Sequence, residues 1–92
     1  MRLAELATAC GASLRGRDAD VLGITHVAQE VRPGWVFAAV EGRKHHGIEF
    51  AADAIARGAA AVLSDRDPGP ATAWLATANP RRAMALASCR AA

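Results

Sequence analysis

Residues 32–64 read RPGWVFAAVEGRKHHGIEFAADAIARGAAAVLS, and their pattern decides the fold class. A short apolar run over Trp35–Val40 follows the turn at Pro33-Gly34, which favours a buried strand. From Gly47 to Arg57 apolar residues recur every three or four positions, which predicts an amphipathic helix closed by the glycine that follows. A second apolar run over residues 59–63 predicts another strand. A strand–helix–strand unit of this kind normally pairs its two strands in parallel.

The segments on either side extend this pattern into one small α/β domain. We expect a helix over residues 2–10, strands over 12–15, 21–26 and 72–77, and a last helix capped by Asn79 with Pro80 in its first turn. The predicted fold is therefore a single domain with a mixed or mostly parallel sheet and flanking helices. The last helix meets no stop signal before the chain ends, so we expect a chain truncated within or just after that helix.

The most informative short motif is the hexapeptide Gly42-Arg43-Lys44-His45-His46-Gly47, between the central strand and its helix. Cations at the start of a helix oppose the helix dipole, at a cost of about 0.3–1 kcal/mol per charge. A phosphate or diphosphate would be held there by free helix N–H groups and basic side chains together. A solvated loop that is merely basic is the alternative, and the residues alone leave both readings open.

Composition excludes several classes of protein. The formal net charge of +2 gives no support to a general nucleic-acid-binding surface. No apolar run is long enough for a membrane span or an export signal, so we expect a cytoplasmic protein without membrane contact. Cys10 and Cys89 lack the spacing of a zinc or redox site, and we expect both to be reduced, buried thiols.

Motifs for catalysis and metal binding are absent from the sequence. There is no G-x-x-x-x-G-K-[ST] loop for ATP, and no Ser-His-Asp or Cys-His arrangement can be argued. The histidines at 26, 45 and 46 do not make a metal site, because adjacent histidines cannot readily share one tetrahedral ion. We therefore expect no metal, no cofactor and no catalysis by these 92 residues alone.

The remaining aromatic and acidic residues have plain structural interpretations. Trp35 and Trp74 could stack on a nucleobase, but each lies in a predicted strand, where a core position is the commoner role. Glu30, Glu41 and Glu49 show no paired-acid spacing, so we assign them solvated roles.

Residues 27–50 resemble a known family. Without a gap they are similar to the pattern D-S-R-x-V-x-P-G-x-L-F-x-A-x-x-G-x-x-x-D-G-x-x-F of the N-terminal domain of the Mur ligases. The likeness is greatest to the UDP-N-acetylmuramoyl-dipeptide ligases, which add the third residue of the peptidoglycan stem. The positions in register are Val31, Pro33, Gly34, Phe37, Ala39, Gly42, Gly47 and Phe50, with Val36 for the leucine, and Ala54-Ile55 and Gly58-Ala59 match the A-I-x-x-G-A segment further on.

This resemblance implies a role for the whole chain. Residues 1–92 would be the UDP-sugar-binding domain of an ATP-dependent ligase, without its central and C-terminal domains. The implied ligand is the uridine diphosphate part of UDP-N-acetylmuramoyl-L-alanyl-D-glutamate, whereas ATP and Mg belong to the full-length enzyme. By position, the resemblance assigns Thr25, His26 and Ala28 to the uridine, Arg43, Lys44 and His45 to the diphosphate, and Gly42, His46 and Gly47 to a supporting layer.

Two departures from the family pattern leave other functions open. Val27-Ala28-Gln29 stands where the family has Asp-Ser-Arg, so a uridine contact at Ala28 must use backbone groups. His46 replaces the aspartate before Gly47, which removes a helix-capping carboxylate and adds a potential cation. One alternative is an interaction module that kept the fold and lost the nucleotide, and another is a generic anion-binding or nucleic-acid-contacting protein. The amino acid that a full ligase would add is not encoded in this stretch.

Overall fold

The computed structural model describes residues 1–40 and 46–91, and for residues 88–91 it describes the backbone alone. A five-stranded sheet lies between two layers of helices, so the predicted α/β class is confirmed. The strands are β1 Ser13–Arg15, β2 Gly23–Thr25, β3 Trp35–Ala38, β4 Ala61–Ser64 and β5 Ala73–Ala76, the helices are α1 Leu3–Cys10, α2 Ala51–Ala56 and α3 Pro80–Ala91, and η1 Ala28–Glu30 and η2 Gly47–Phe50 are 3₁₀ turns.

The sheet is mixed and mostly parallel, as the sequence predicts. Its strand order is β1-β5-β4-β3-β2, and only β1 runs antiparallel to its neighbour β5. In the central unit Val36 pairs with Ala61 and Ala38 with Leu63 in parallel register. The predicted parallel strand–helix–strand unit is therefore confirmed.

Each central strand sends alternate side chains into two separate cores. Val36 and Ala38 of β3 face the core under α1 and α3, whereas Phe37 and Ala39 face the core under α2 and η1. This alternation follows from the two-residue period of a strand that is covered on both faces. The first core is built mainly from Leu3, Leu6, Leu63, Leu75, Ala83 and Ala87, and the second from Ala28, Val31, Ala51, Ala54 and Val62.

The predicted helix ends agree with the structure at three places. Gly11 ends α1 with φ +74, and Gly58 follows α2 with φ +98, a region that favours glycine because it has no Cβ. At the start of α3 the Asn79 side-chain oxygen accepts a hydrogen bond from the Arg82 amide at 3.1 Å. The predicted N-cap is thus confirmed.

Several predicted elements have bounds that differ from those expected, and two of these differences bear on the site. The helix predicted over residues 47–57 begins with the 3₁₀ turn η2 and becomes an α-helix only at Ala51. The strand predicted over 21–26 is confined to Gly23–Thr25, because the Thr25 hydroxyl accepts the Val27 amide at 3.1 Å and turns the chain away from the sheet. His26 therefore lies in the turn that follows β2.

Candidate functional site

The candidate site lies where the four parallel strands end, at Thr25, Ala38, Ser64 and Ala76; we call this the carboxyl edge. In open α/β sheets ligands bind outside the carboxyl ends of the strands. Neighbouring strands are about 5 Å apart, so the ends of β2 and β4 lie about 10 Å apart on either side of β3. The parallel sheet thus brings segments from distant parts of the chain to one small surface.

At the end of β2 the Thr25 hydroxyl is already engaged by the protein. It is buried, donates a hydrogen bond to Glu30 Oε2 at 3.1 Å and accepts one from the Val27 amide. Ala28 is also buried, whereas His26 is exposed. Of the three residues that the sequence assigns to uridine, only His26 therefore presents a side chain to solvent.

Glu30 has a structural contact besides the solvated role expected from the sequence. Its side chain is exposed, and its carboxylate accepts the Thr25 hydroxyl and ties η1 to the end of β2. The spacing of five residues along an irregular turn gives no periodic signal, so sequence reasoning had no means of finding this pair.

At the end of β3 the chain leaves and returns within a short distance. The Gly47 amide donates to the Val40 carbonyl at 2.9 Å, which brings residues 40 and 47 together. A Cβ on Gly47 would lie 2.8 Å from Ala39 Cα and from the Val40 nitrogen, so only glycine fits without a shift of the backbone. Gly47 therefore allows the start of η2 to lie directly against the residues that follow β3.

Four of the residues assigned to the diphosphate or its supporting layer, namely Gly42, Arg43, Lys44 and His45, lie outside the described residues, as does Glu41. The positions assigned to them therefore stay predictions. The described residues on either side of them, Val40 and His46, place both ends of the segment at the carboxyl edge.

His46 caps η2, which corrects the expectation that its substitution for aspartate removes a cap. Its Nδ1 accepts a hydrogen bond from the Ile48 amide at 3.0 Å, and its Nε2 lies 2.8 Å from Asp65 Oδ1. An imidazole that accepts through Nδ1 carries its proton on Nε2, which donates to the carboxylate. The ring is thus held by one contact at each nitrogen, to the Ile48 amide and to the Asp65 carboxylate.

The predicted free amides at the start of this helix are not found. The Gly47 amide donates to Val40, the Ile48 amide to His46 Nδ1, and the Glu49 amide to the His46 carbonyl at 3.1 Å. A phosphate held by unpaired amides of residues 47–49 is therefore a wrong prediction. Two of these bonds, from Ile48 and Glu49 to His46, are local, and the bond from Gly47 joins the start of η2 to the residue pair that follows β3.

Asp65 is a residue of the site that sequence reasoning missed. The sequence places it in a charged, proline-bracketed loop after β4, and its partner His46 lies nineteen residues earlier. Only the parallel pairing of β3 with β4 brings the two loops together at the carboxyl edge. At the end of β4, directly before this loop, Ser64 is fully buried, and its hydroxyl accepts the Arg66 amide at 3.0 Å.

The two tryptophans are half-buried at strand positions. The Trp74 indole donates to the Ser64 carbonyl at 3.0 Å and has the Arg15 guanidinium over its ring at 5.6 Å. Trp35 packs against Gly23, where a Cβ would lie 2.7 Å from the indole. Both rings thus have packing partners within the protein, which agrees with the structural interpretation.

Two further properties hold for residues 1–40 and 46–91. The residues in these two ranges contain no group of three or more His, Cys, Asp or Glu side chains that could hold a metal ion. No helix in these ranges is long and apolar enough to cross a bilayer.

Comparison with known proteins gives one family. The model of the Mur ligase family, catalytic domain, matches residues 20–88. The UDP-N-acetylmuramoyl-L-alanyl-D-glutamate–2,6-diaminopimelate ligase of Streptomyces avermitilis is 51% identical over 63 residues, which are 68% of this chain and 12% of that protein. The ligase of the same name from Solibacter usitatus is 44% identical over 71 residues, which are 75% of this chain and 14% of that protein.

A solved structure shows the same fold. A crystal structure of MurF from Acinetobacter baumannii superposes with a TM-score of 0.77 at 19% identity, covering 90% of this chain and 19% of that one. The chain thus spans less than a fifth of the length of each of these proteins.

Proposed function

The chain belongs to the Mur ligase family, and on that premise we propose that it is the N-terminal, substrate-recognition domain of an ATP-dependent peptidoglycan precursor ligase. It binds the uridine diphosphate part of UDP-N-acetylmuramoyl-L-alanyl-D-glutamate, the compound in the names of its curated relatives. The central and C-terminal domains of the ligase would bind ATP and Mg and carry out the chemistry. A cytoplasmic location stays a prediction.

The role of this domain is to position its ligand. By holding the nucleotide end it presents the distant glutamate carboxylate to the domain that binds ATP, and such positioning lowers the entropic part of a reaction barrier. Arg43, Lys44 and His45 hold the diphosphate, and the segment Thr25–Ala28 lies beside the uridine. Gly42, His46 and Gly47 support the loop.

One observation carries the proposal. The family match extends over residues 20–88, and the two segments assigned to the nucleotide begin at the ends of neighbouring parallel strands, β2 and β3. The carboxyl edge of a parallel sheet is where nucleotides bind in open α/β folds. A uridine beside His26 and a diphosphate near the loop after β3 would thus be one strand spacing apart, about 5 Å.

The observed contacts restrict which atoms can bind. Because the Thr25 hydroxyl is bonded to Glu30 and Val27, and because Ala28 is buried, these two residues offer only backbone atoms to uridine. Because the amides of residues 47–49 are engaged, the charge of the diphosphate must be met by the basic side chains. Charge-assisted bonds from Arg and Lys to phosphate are suited to that task.

The test is a titration of the 92-residue chain with UDP-N-acetylmuramoyl-L-alanyl-D-glutamate and with UDP, followed by calorimetry or amide chemical shifts. We expect saturable binding that Arg43→Ala and Lys44→Ala each weaken about ten- to a hundredfold, since a bond to a charged group contributes about 1.5–3 kcal/mol. Arg17→Ala is the matched control. Arg17 is an exposed arginine that follows β1, at the opposite edge of the sheet, so its removal should leave the affinity unchanged.

Other outcomes would favour the alternatives. No binding by a chain that is folded by circular dichroism would overturn the proposal in favour of an interaction module without a ligand. Binding that any polyanion competes away and that falls steeply with salt would indicate generic anion binding.

A further inference from the structure

His46 joins two segments at the carboxyl edge through the two nitrogens of its ring. Nδ1 accepts the Ile48 amide at 3.0 Å, and Nε2 lies 2.8 Å from Asp65 Oδ1. The side chain is 8% exposed, so little water is available to replace either bond. The ring therefore connects the start of η2 with the β4–β5 loop.

The two bonds require one protonation state. An amide N–H can donate only to a ring nitrogen that carries a lone pair, so Nδ1 must be unprotonated. The remaining proton is then on Nε2, facing the Asp65 carboxylate. An imidazolium has an N–H on both nitrogens, so its Nδ1–H would point at the Ile48 N–H. The hydrogen bond from the Ile48 amide to Nδ1 cannot form in that state.

We propose that His46 is a proton-sensitive latch: as a neutral imidazole it positions the start of η2 against the β4–β5 loop, and protonation releases the Ile48 amide while the ion pair with Asp65 remains. Histidine is the side chain whose ordinary change of charge lies closest to neutral pH. The inference rests on described residues and does not depend on the proposed function.

The charged groups on the segments that contact His46 or adjoin it in the sequence fall into three sets. Asp65 contacts the ring, and Arg66 and Asp67 follow it in the β4–β5 loop. Glu49 lies in the first turn of η2 itself. The end of β3 contributes only Ala39 and Val40, which do not titrate, and Glu41, Arg43, Lys44 and His45 precede His46 in the sequence.

Asp65 and the hydrogen bond from the Ile48 amide have opposite effects on the protonation of the His46 ring. The carboxylate favours the imidazolium, whereas the Ile48 bond favours the neutral ring. The free energy of the cap is therefore present at high pH and is lost as His46 gains its proton. This opposition distinguishes a latch from a plain salt bridge, which would become stronger on protonation.

The experiment is a pH titration of the labelled chain by NMR from pH 8 to pH 5. We expect the His46 ring nitrogens to report the Nε2–H tautomer at pH 8. As the ring titrates, protection of the Ile48 amide from exchange should fall about fivefold, the factor that corresponds to a cap of about 1 kcal/mol.

Two variants make the test specific. In His46→Asn the side-chain oxygen can still accept the Ile48 amide but cannot titrate, so the protection should be kept and its pH dependence lost. In Asp65→Asn a hydrogen bond from Nε2 remains available without the charge, so the midpoint of the Ile48 change should move to lower pH.

Three results would overturn the latch. One is a neutral His46 with its proton on Nδ1, and another is an Ile48 amide that stays protected while the His46 ring titrates. The third is the same pH dependence of Ile48 protection in His46→Asn. Each readout concerns the chain without ligand, so failure of nucleotide binding would not affect it.

Discussion

Gly47 shows how one residue fixes the path of the chain beside the candidate site. Its amide donates to Val40 at 2.9 Å, and its Cα approaches β3 so closely that a Cβ would lie 2.8 Å from Ala39 Cα. The φ of Gly47 is outside the left-handed region, so steric contact with backbone, and not strain, requires glycine here. Backbone atoms cannot move aside as the end of a flexible side chain can.

Gly47→Ala should therefore lower the free energy of unfolding by about 1–3 kcal/mol, the usual cost of inserting a methyl group into a well-packed place. Urea denaturation followed by circular dichroism measures this loss. Ala52→Ser, at an exposed position of α2, is the control and should change stability by less than about 0.5 kcal/mol. Equal stability of the two variants would show that the contact with β3 is not rigid.

Asp18 stabilises the start of α1 from a distant loop. Its Oδ1 accepts the Ala4 amide at 3.1 Å and the Ala19 amide at 2.9 Å, and Arg2 lies 3.4 Å from its other oxygen. The hydrogen bond from Ala4 holds the pKa of Asp18 below its usual range, with the Ala19 amide and the Arg2 guanidinium acting in the same direction. The ionised form is thus the one that the fold favours.

The pH dependence of an Asp18→Ala variant follows from that direction. A carboxyl group whose pKa is lower in the folded state than in the unfolded state stabilises the protein fully at a pH above the unfolded-state pKa. That stabilisation is lost as the pH falls through the folded-state pKa. We expect a lower Tm than wild type at pH 7 and a difference that closes below about pH 4. Asp20→Ala, which removes only an exposed ion pair with Arg2 at 3.6 Å, should change Tm little.

At the scale of elements, α3 depends on its first turn. Asn79 accepts the Arg82 amide at 3.1 Å through its side chain and the Ala83 amide at 3.0 Å through its carbonyl. Pro80 occupies the first helical position, where its missing N–H is no loss. The buried Ala83 and Ala87 then pack into the same core as α1.

Asn79→Ala should cost about 1 kcal/mol of unfolding free energy, because an N-cap side chain satisfies an otherwise unpaired helix amide. Asn79→Asp keeps an acceptor and adds a negative charge at the helix start, so it should retain wild-type stability. Denaturation midpoints of the two variants give the comparison. A loss in Asn79→Asp as large as that in Asn79→Ala would contradict a capping role.

The segment after β3 shows where an element departs from its local pattern. Its apolar spacing predicts a continuous helix over residues 47–57, but the first turn is 3₁₀. The Val40 carbonyl and the His46 ring hold the amides of Gly47 and Ile48, so the first turn is tied to neighbouring loops. A 3₁₀ turn is a common way for a helix start to adapt to such constraints.

At the scale of the whole molecule, the two cores share one sheet. Phe37 is the largest fully buried side chain and lies in the core under α2 and η1, while its neighbours Val36 and Ala38 lie in the core under α1 and α3. Because β3 contributes side chains to both cores, a cavity on one face of the sheet should lower the stability of the whole domain. Interiors packed this densely relax only partly around a missing side chain.

Phe37→Ala should lower the free energy of unfolding by about 3–5 kcal/mol, a large share of the about 5–15 kcal/mol that a domain usually has. Phe37→Leu keeps most of the apolar volume and should cost less than about 1.5 kcal/mol. Chemical denaturation monitored at the two tryptophans would measure both variants. A small loss in Phe37→Ala would mean that α2 and η1 contribute little to the fold.

The sequence by itself determined the α/β class, the parallel central unit, the Asn79 cap and the family, because periodicity, capping residues and an ungapped motif are local properties of the chain. It did not determine which polar groups are paired at the carboxyl edge. The bonds of His46 to Ile48 and Asp65, and of Thr25 to Glu30, were decided only by the tertiary structure. Asp65 reaches His46 because parallel strands end at the same edge of the sheet, a juxtaposition that no local pattern in the sequence contains.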